Sequence, residues 1–187
     1  MGSACFRARG VVALRDGRVA VIRRADADDG DAIQGFIRSL SPYTRYQRFM
    51  VGLRELPPSM LDQILHADPR REAALVAQAS GGIVGLAQFA GVEDEELGEV
   101  ALVVAEDWRR ARLATHLLHR VADEAQHLGF RGVYADILRG NGAAIALARR
   151  FDVELGPSPQ GVPLSRISAR LEHAVVASHQ APAFAPV

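Results

Sequence analysis

Cysteine is nearly absent from this sequence of 187 residues, in which Cys5 is the only one. A single cysteine excludes an intramolecular disulfide and a metal site built from several thiolates. A chain of this length can enclose a hydrophobic core without such cross-links. The cysteine content fits a reducing compartment, and we therefore expect the protein to be cytoplasmic.

The sequence also lacks net charge and long apolar runs. Its 22 basic residues balance its 22 acidic ones, so no overall field favours nucleic acid or an anionic membrane as a partner. No apolar stretch reaches the length of a transmembrane helix, and the opening MGSACFRARG has no apolar segment typical of a signal peptide. We therefore predict a globular domain that binds neither nucleic acid nor membrane.

The first half of the sequence alternates turn signals with helical periodicity. Two short apolar segments flank Asp16-Gly17, which predicts a β-hairpin. Asp26 and Ser41-Pro42 are suited to begin helices, because a short polar side chain can cap the free amides of a first turn. We expect Tyr43, Tyr46 and Phe49 of the second helix to contact the core. The remaining predictions in this half are a helix from Pro58 and strands at residues 73–79 and 83–90.

The second half predicts a strand, a crossover helix and another strand. Residues 99–104, EVALVV, are rich in β-branched side chains and contain no helix breaker. Apolar residues then recur at i, i+4 spacing until Gly129, which has the position of a helix C′ residue. Later elements are predicted at residues 133–138, 143–150, 151–155 and 164–171. The order indicates a mixed α/β (α+β) domain with a mostly antiparallel sheet flanked by helices.

We expect one domain at residues 11–171, with flexible segments at residues 1–10 and 172–187. The sequence is compatible with a homodimer, but no feature in it specifies an oligomeric state.

The segment WRRARLATHLL, residues 108–118, joins the EVALVV strand to the crossover helix. The first amides of a helix lack acceptors within the helix and lie at the positive end of its dipole. Phosphate groups bind at such turns, and nearby arginines strengthen the contact. Taken alone, however, this layout is more typical of a solvated basic helix start.

The string LVVAEDWRRARLATHLLHRVADEAQHLGF resembles the central motif of the GNAT superfamily of acyl-CoA N-acyltransferases. That motif, Gln/Arg-x-x-Gly-x-Gly/Ala, opens a helix after a strand, and Arg109 and Ala114 match its first and last positions. The resemblance implies acetyl-CoA as co-substrate. It implies that the pantetheine arm pairs with the strand at Leu102, Val103 and Val104. The pyrophosphate would lie on the turn of Arg109, Arg110, Ala111, Arg112, Leu113, Ala114 and Thr115.

Two further strings resemble the same superfamily. ADILRGNGAAIALARRFDVEL is similar to its next strand–Asn–helix segment, which implies that Asn141 contacts the CoA arm. Upstream, LRDGRVAVIRRADADDGDAIQGFIRSLSPYTRYQRFM resembles the acetyltransferase domain of bacterial Pat-type protein-lysine acetyltransferases. The three strings lie in the right order across residues 11–171. They imply a GNAT-like fold and an N-acetyltransferase for a primary amine, with protein lysine ahead of small molecules.

Glu99 matches the glutamate that Pat-type enzymes use as general base, acting through a water. A base is needed because a lysine-like amine, with a pKa of about 10.4, is almost wholly protonated at neutral pH. Strand alternation places Glu99 on one face with Ala101 and Val103. From the residues alone, an exposed glutamate that continues the acidic loop at residues 93–96 is an equally good interpretation. The resemblance favours the base.

Arg112 departs from the motif, which has glycine at this position because the backbone approaches the pyrophosphate closely. Its guanidinium could point outward and pair with a phosphate. Alternatively, its bulk could occupy the phosphate position and leave a non-catalytic GNAT-like binding or interaction module. We favour retained binding, because Arg109, Ala114, Asn141 and Glu99 all keep the pattern.

Two smaller signals complete the candidates. His116 and His119 form an H-x-x-H pair without evident further ligands, so we predict surface histidines and no metal site. Ala148 stands where other GNAT enzymes place a tyrosine that protonates the leaving thiolate. Without it, the thiolate would leave unassisted or take its proton from water.

Overall fold

Residues 10–92 and 95–171 are described by a computed structural model of the protein. Gly10 already belongs to the first strand. The remainder of the flexible segments expected at residues 1–10 and 172–187 lies outside the described residues, as do Glu93 and Asp94 of the acidic loop.

The described residues form one eight-stranded sheet with helices on both faces, in the order β1-β2-β3-β4-β5-β6-β8-β7. The strands are β1 Gly10–Ala13, β2 Val19–Arg24, β3 Glu72–Ala79, β4 Gly82–Ala90, β5 Leu97–Val104, β6 Gly132–Leu138, β7 Glu154–Pro157 and β8 Leu164–Arg170. The helices are α1 Gly30–Ser39, α2 Pro42–Phe49, α3 Pro58–Leu65, α4 Leu113–His127 and α5 Gly142–Ala148.

Every neighbouring strand pair in the described sheet is antiparallel except β5 with β6. Helix α4 makes the crossover between these two parallel strands and ends beside Gly129, whose φ is +89°. The mixed, mostly antiparallel sheet and its single crossover helix are therefore as predicted. No described helix is both long and apolar enough to cross a bilayer.

The side-chain alternation of β5 separates two hydrophobic clusters on opposite faces of the sheet. Val100 and Val104 pack with Leu117 and the rest of the apolar stripe of α4. Val103 packs with Ile33 and other residues of the α1–α3 side. This confirms the predicted alternation, and it places Glu99 on the same face as α1, α2 and α3.

The sheet opens between β5 and β6. Their pairing runs from Leu97 opposite Gly132 to Glu99 opposite Tyr134 and then stops, although both strands continue. Beyond this point β5 stays paired only with β4, and β6 only with β8. The edge of β5 that faces β6 is consequently unpaired with any described strand over residues 100–104, which leaves a wedge in the sheet.

Two local predictions were wrong. Phe49 of α2 packs on the core as predicted, but Tyr43 and Tyr46 are 64% and 47% exposed, because α2 turns Thr44 and Arg45 inward instead. The Arg45 guanidinium reaches backbone carbonyls, including that of Leu53 at 2.8 Å from Nε, and this satisfies its charge inside the fold. The strand predicted at residues 151–155 lies at Glu154–Pro157, where it pairs with β8.

Candidate active site

In the turn before α4, two arginines adopt a backbone conformation that is usual for glycine. Arg110 and Arg112 have φ values of +60° and +71°, in the left-handed region that side chains disfavour. The backbone N–H groups of residues 110–115 donate to no acceptor within the described residues. A turn of this kind, with free amides at the positive end of a 15-residue helix, is able to bind an anion.

The side chain of Arg112 is exposed and makes no hydrogen bond or ion pair with the described residues. Its charge contributes, after burial and His119, to lowering the pKa of His116 one turn along α4. Ala111 and Leu113 on either side are buried. Arg112 thus has a backbone conformation that favours glycine, and its side chain is directed outward to solvent.

Arg109 connects this turn to the start of α2. Its Nη2 donates to Thr44 Oγ1 at 2.7 Å and lies 3.9 Å from Glu106 Oε1. The same Glu106 oxygen accepts from the Ser41 amide at 3.0 Å and from the Thr44 hydroxyl at 2.5 Å. Burial raises the pKa of Glu106, but the hydrogen bonds from Thr44 and Ser41 outweigh it and lower the pKa to about 2.

We expect Glu106→Gln to lower the stability of the protein at pH 7 by about 1–2 kcal/mol. The expected loss of stability is no larger because the Glu106 side chain is 36% exposed, and solvent screens its interactions. Because the folded-state pKa is depressed, this stabilisation is complete above the unfolded-state pKa of about 4.3 and is lost as pH falls through about 2. Urea unfolding of both proteins from pH 7 to pH 2 measures the difference, which should shrink toward zero. A difference that stays constant with pH would contradict the assigned hydrogen bonds.

Glu99 stands where the β5–β6 pairing ends, and it is half-buried rather than fully exposed. On the neighbouring strand, Gln88 lies opposite Ala101 and therefore shares the face of Glu99. Gln88 Oε1 accepts from Nη2 of Arg48, on α2, at 2.5 Å. A guanidinium from α2 is thus held over the strand face that carries Glu99.

Tyr134 on β6 and Arg166 on β8 are further polar residues near Glu99. Tyr134 lies opposite Glu99, and the Arg166 guanidinium carbon lies 3.9 Å from the Tyr134 ring centroid. Arg166 donates two hydrogen bonds to Asp136, at 3.0 Å and 2.6 Å. The Arg166 contact lowers the pKa of Asp136, whereas burial and then Glu99 raise the pKa of Tyr134. The phenol is therefore neutral and the Asp136–Arg166 pair ionised at neutral pH.

The remaining predicted residues lie along the same wedge or next to it. Leu102, Val103 and Val104 pair with Ala87, Leu86 and Gly85 of β4, and their other edge faces the opening. Asn141 is the N-cap of α5, and its Oδ1 accepts from the Ala144 amide at 3.1 Å. Its side-chain nitrogen, Nδ2, donates to no described residue.

His116 and His119 of α4 are half-buried, and His119 packs on Phe151 with ring centroids 5.3 Å apart. Within residues 10–92 and 95–171, no group of three or more His, Cys, Asp and Glu residues is arranged to hold a metal. Two surface cavities of about 380 Å³ are lined by other residues, among them Arg71 and Phe130 in one and Arg38 and Arg54 in the other. Neither of these two cavities is lined by a predicted site residue.

Four residues of this region were not predicted as site residues: Arg48, Gln88, Tyr134 and Arg166. The string SPYTRYQRF contained the one signal for Arg48, because Arg45 and Arg48 are three positions apart and therefore lie on one face of α2. Gln88, Tyr134 and Arg166 are single polar residues on apolar strands, which indicates a polar contact but names no partner.

Residues 25–152 match the acetyltransferase (GNAT) family. An acetyltransferase of Pseudomonas aeruginosa is 33% identical to this chain over 129 residues, which are 67% of this chain and 69% of that protein.

Three solved structures illustrate the shared fold. The GNAT domain of S. lividans PAT superposes with a TM-score of 0.82 at 21% identity, covering 91% of this chain and 99% of that one. The protein yncA of Salmonella typhimurium, with its cofactor acetyl-CoA, has a TM-score of 0.65 at 22% identity, with 89% and 99% covered. Spermidine N-acetyltransferase from Vibrio cholerae, in complex with CoA and spermine, has a TM-score of 0.65 at 14% identity, with 83% and 98% covered.

Proposed function

The chain belongs to the acetyltransferase (GNAT) family, and we propose that it transfers the acetyl group of acetyl-CoA to a primary amine. The observation that carries the proposal is the layout of one strand. Glu99 lies near the start of β5, an unpaired edge follows it, and a turn with free amides begins the next helix. In the proposed reaction the carboxylate accepts a proton, the strand edge binds the pantetheine arm, and the turn binds the pyrophosphate.

In this proposal the turn at residues 109–115 holds the pyrophosphate of acetyl-CoA. The free amides supply neutral donors, and Arg109, Arg110 and Arg112 add positive charge around them. The open edge of Leu102, Val103 and Val104 supplies backbone partners for the amides of the pantetheine arm. Asn141 contacts the same arm through its side-chain nitrogen, Nδ2. The relatives that bind acetyl-CoA or CoA support this choice of co-substrate.

Glu99 is the proposed general base. It accepts a proton from the acceptor amine through a water, so that the nitrogen lone pair can attack the thioester carbonyl. The new C–N bond forms, the C–S bond breaks, and the thiolate leaves. Ala148 has no proton to donate, so the thiolate leaves unassisted or takes its proton from water.

The finer proposal is that the acceptor is a protein lysine. The resemblance of the SPYTRYQRF region to Pat-type enzymes and the superposition on the GNAT domain of S. lividans PAT support it. A small polyamine is the competing acceptor, supported by the Vibrio cholerae complex with spermine. The chain itself contains no lysine, so any acetyl-lysine that an assay detects belongs to the added acceptor.

The proposal is tested by incubating the protein with acetyl-CoA and either a lysine-containing peptide or spermine. Thiol release and the mass of the acceptor are both measured. We expect a gain of one acetyl group on an amine, equal in amount to the thiol released. Thiol release without an acetylated acceptor would indicate hydrolysis, and no release with either acceptor would favour the non-catalytic module suggested by Arg112.

A further inference from the structure

Arg48, in the SPYTRYQRF string, carries a charge that no described carboxylate neutralises; its guanidinium carbon lies 4.9 Å from the Phe49 ring centroid. Ser41 and Thr44 bond to Glu106, and Arg45 bonds to backbone carbonyls. Arg48 instead donates from Nη2 to Gln88 Oε1, while its Nε is buried and has no partner among the described residues. A guanidinium held inside a fold normally pairs with a carboxylate, because an unpaired charge is costly to remove from water. Arg48 forms no ion pair with any described carboxylate.

Arg48 lies over the sheet face that carries Glu99. Gln88, which holds the guanidinium, faces Ala101 on the strand next to its own, and Ala101 and Glu99 lie on the same face of β5. Helix α2 packs against β5 and β6, above the point where they separate. The Arg48 charge consequently interacts with the Glu99 charge across the wedge.

We propose that Arg48 is a positioning residue for proton transfer, which disfavours the ammonium form of an acceptor amine bound beside Glu99. This inference rests on the proposed function, since it assigns a role within that reaction. A nearby positive charge destabilises a cation, so an amine bound beside Arg48 loses its proton more easily. Arg48 acts through the acceptor amine and takes no proton itself.

The other charged groups that face Glu99 do not supply this effect as directly. Tyr134 is neutral at neutral pH, because burial and then Glu99 raise its pKa. Arg166 is already paired by two hydrogen bonds with Asp136, so its charge is largely compensated. Burial lowers the pKa of Arg48 to about 10, and Glu99 opposes that change, so Arg48 stays cationic at neutral pH.

The experiment measures kcat against pH at saturating acetyl-CoA and saturating lysine-containing peptide or spermine, whichever is turned over faster. Under these conditions the acid limb reports groups in the ternary complex. We expect Arg48→Gln to move the acid limb upward by about one pH unit, a tenfold loss on that limb, with a smaller loss at high pH. Arg48→Lys, which keeps the charge, should lie closer to the wild type. Arg38→Gln, at an exposed arginine of α1, is the matched control and should leave the profile unchanged.

Circular dichroism and melting temperature show whether each variant folds, and Arg48→Met is the second neutral variant if glutamine prevents folding. An equal loss at every pH would overturn the proposal, because a merely structural role predicts that result. An unchanged profile would also overturn it. If the wild type transfers no acetyl group, the proposed function fails together with this inference. An active wild type with an unshifted Arg48→Gln profile removes this inference alone.

Discussion

Replacing Glu99 by glutamine is expected to lower kcat for acetyl transfer by about 100- to 10,000-fold at neutral pH, the usual contribution of a general base. Glutamine has nearly the same shape as glutamate and can still hydrogen-bond a water, but it cannot accept the proton of the amine. The loss should therefore fall on turnover while the Kd for acetyl-CoA stays within a factor of about 3 of the wild type. Steady-state kinetics and isothermal titration calorimetry measure the two quantities separately.

The matched control for this variant is Glu96→Gln. Glu96 precedes β5 by one residue, is 63% exposed and lies 3.6 Å from Arg131, away from the end of the β5–β6 pairing. Its replacement should leave both kcat and binding unchanged. A Glu99→Gln variant that folds and turns over at the wild-type rate would remove Glu99 from the mechanism. An equal loss in the Glu96 variant would indicate that general charge around the acceptor is responsible.

Replacing Arg112 by glutamate is expected to weaken acetyl-CoA binding by about 10- to 100-fold, because it places a negative charge beside the pyrophosphate. Arg70→Glu is the control for the change in net charge, since Arg70 is 89% exposed and lies on the loop before β3. It should alter the Kd by less than about twofold. Titration calorimetry of the three proteins at one fixed ionic strength gives the comparison, because salt screens exposed charges.

Arg112→Gly distinguishes a helpful arginine from an obstructing one. The backbone φ of +71° suits glycine, so the turn should persist, with a stability gain of up to about 1 kcal/mol. If the guanidinium assists the phosphate, glycine should bind a few-fold more weakly than arginine and much more tightly than glutamate. Binding by the glycine variant alone, with none by the wild type, would show that the arginine side chain blocks the site.

The parts of the fold that follow from local pattern could be predicted from the sequence. The EVALVV run, the apolar stripe of α4 and Gly129 determine a strand, a helix and its end without reference to the rest of the chain. Strand alternation also placed Glu99 on the correct face relative to Val103. The shape of the turn at Arg112 could not be predicted, because glycine-like φ values at arginine depend on how Ala111 and Leu113 are buried.

The surroundings of Glu99 depend on contacts between distant segments. Arg48 meets Gln88 across 40 residues, and Arg166 meets Asp136 across 30, so no local spacing relates them. The same limit explains the error at α2. Aromatic residues at helical spacing predicted core contacts, but two polar side chains found internal partners and turned the tyrosines outward.

The most direct test of the account is the melting temperature of the wild-type protein with and without acetyl-CoA. A ligand that binds only the folded state at 100 times its Kd adds about 2.7 kcal/mol of stability, which for a chain of this size is a rise of roughly 5–10 °C. We expect such a rise in the wild type. We expect a smaller rise in Arg112→Glu at the same acetyl-CoA concentration. No rise at millimolar acetyl-CoA would contradict the central claim that the turn before α4 binds this co-substrate.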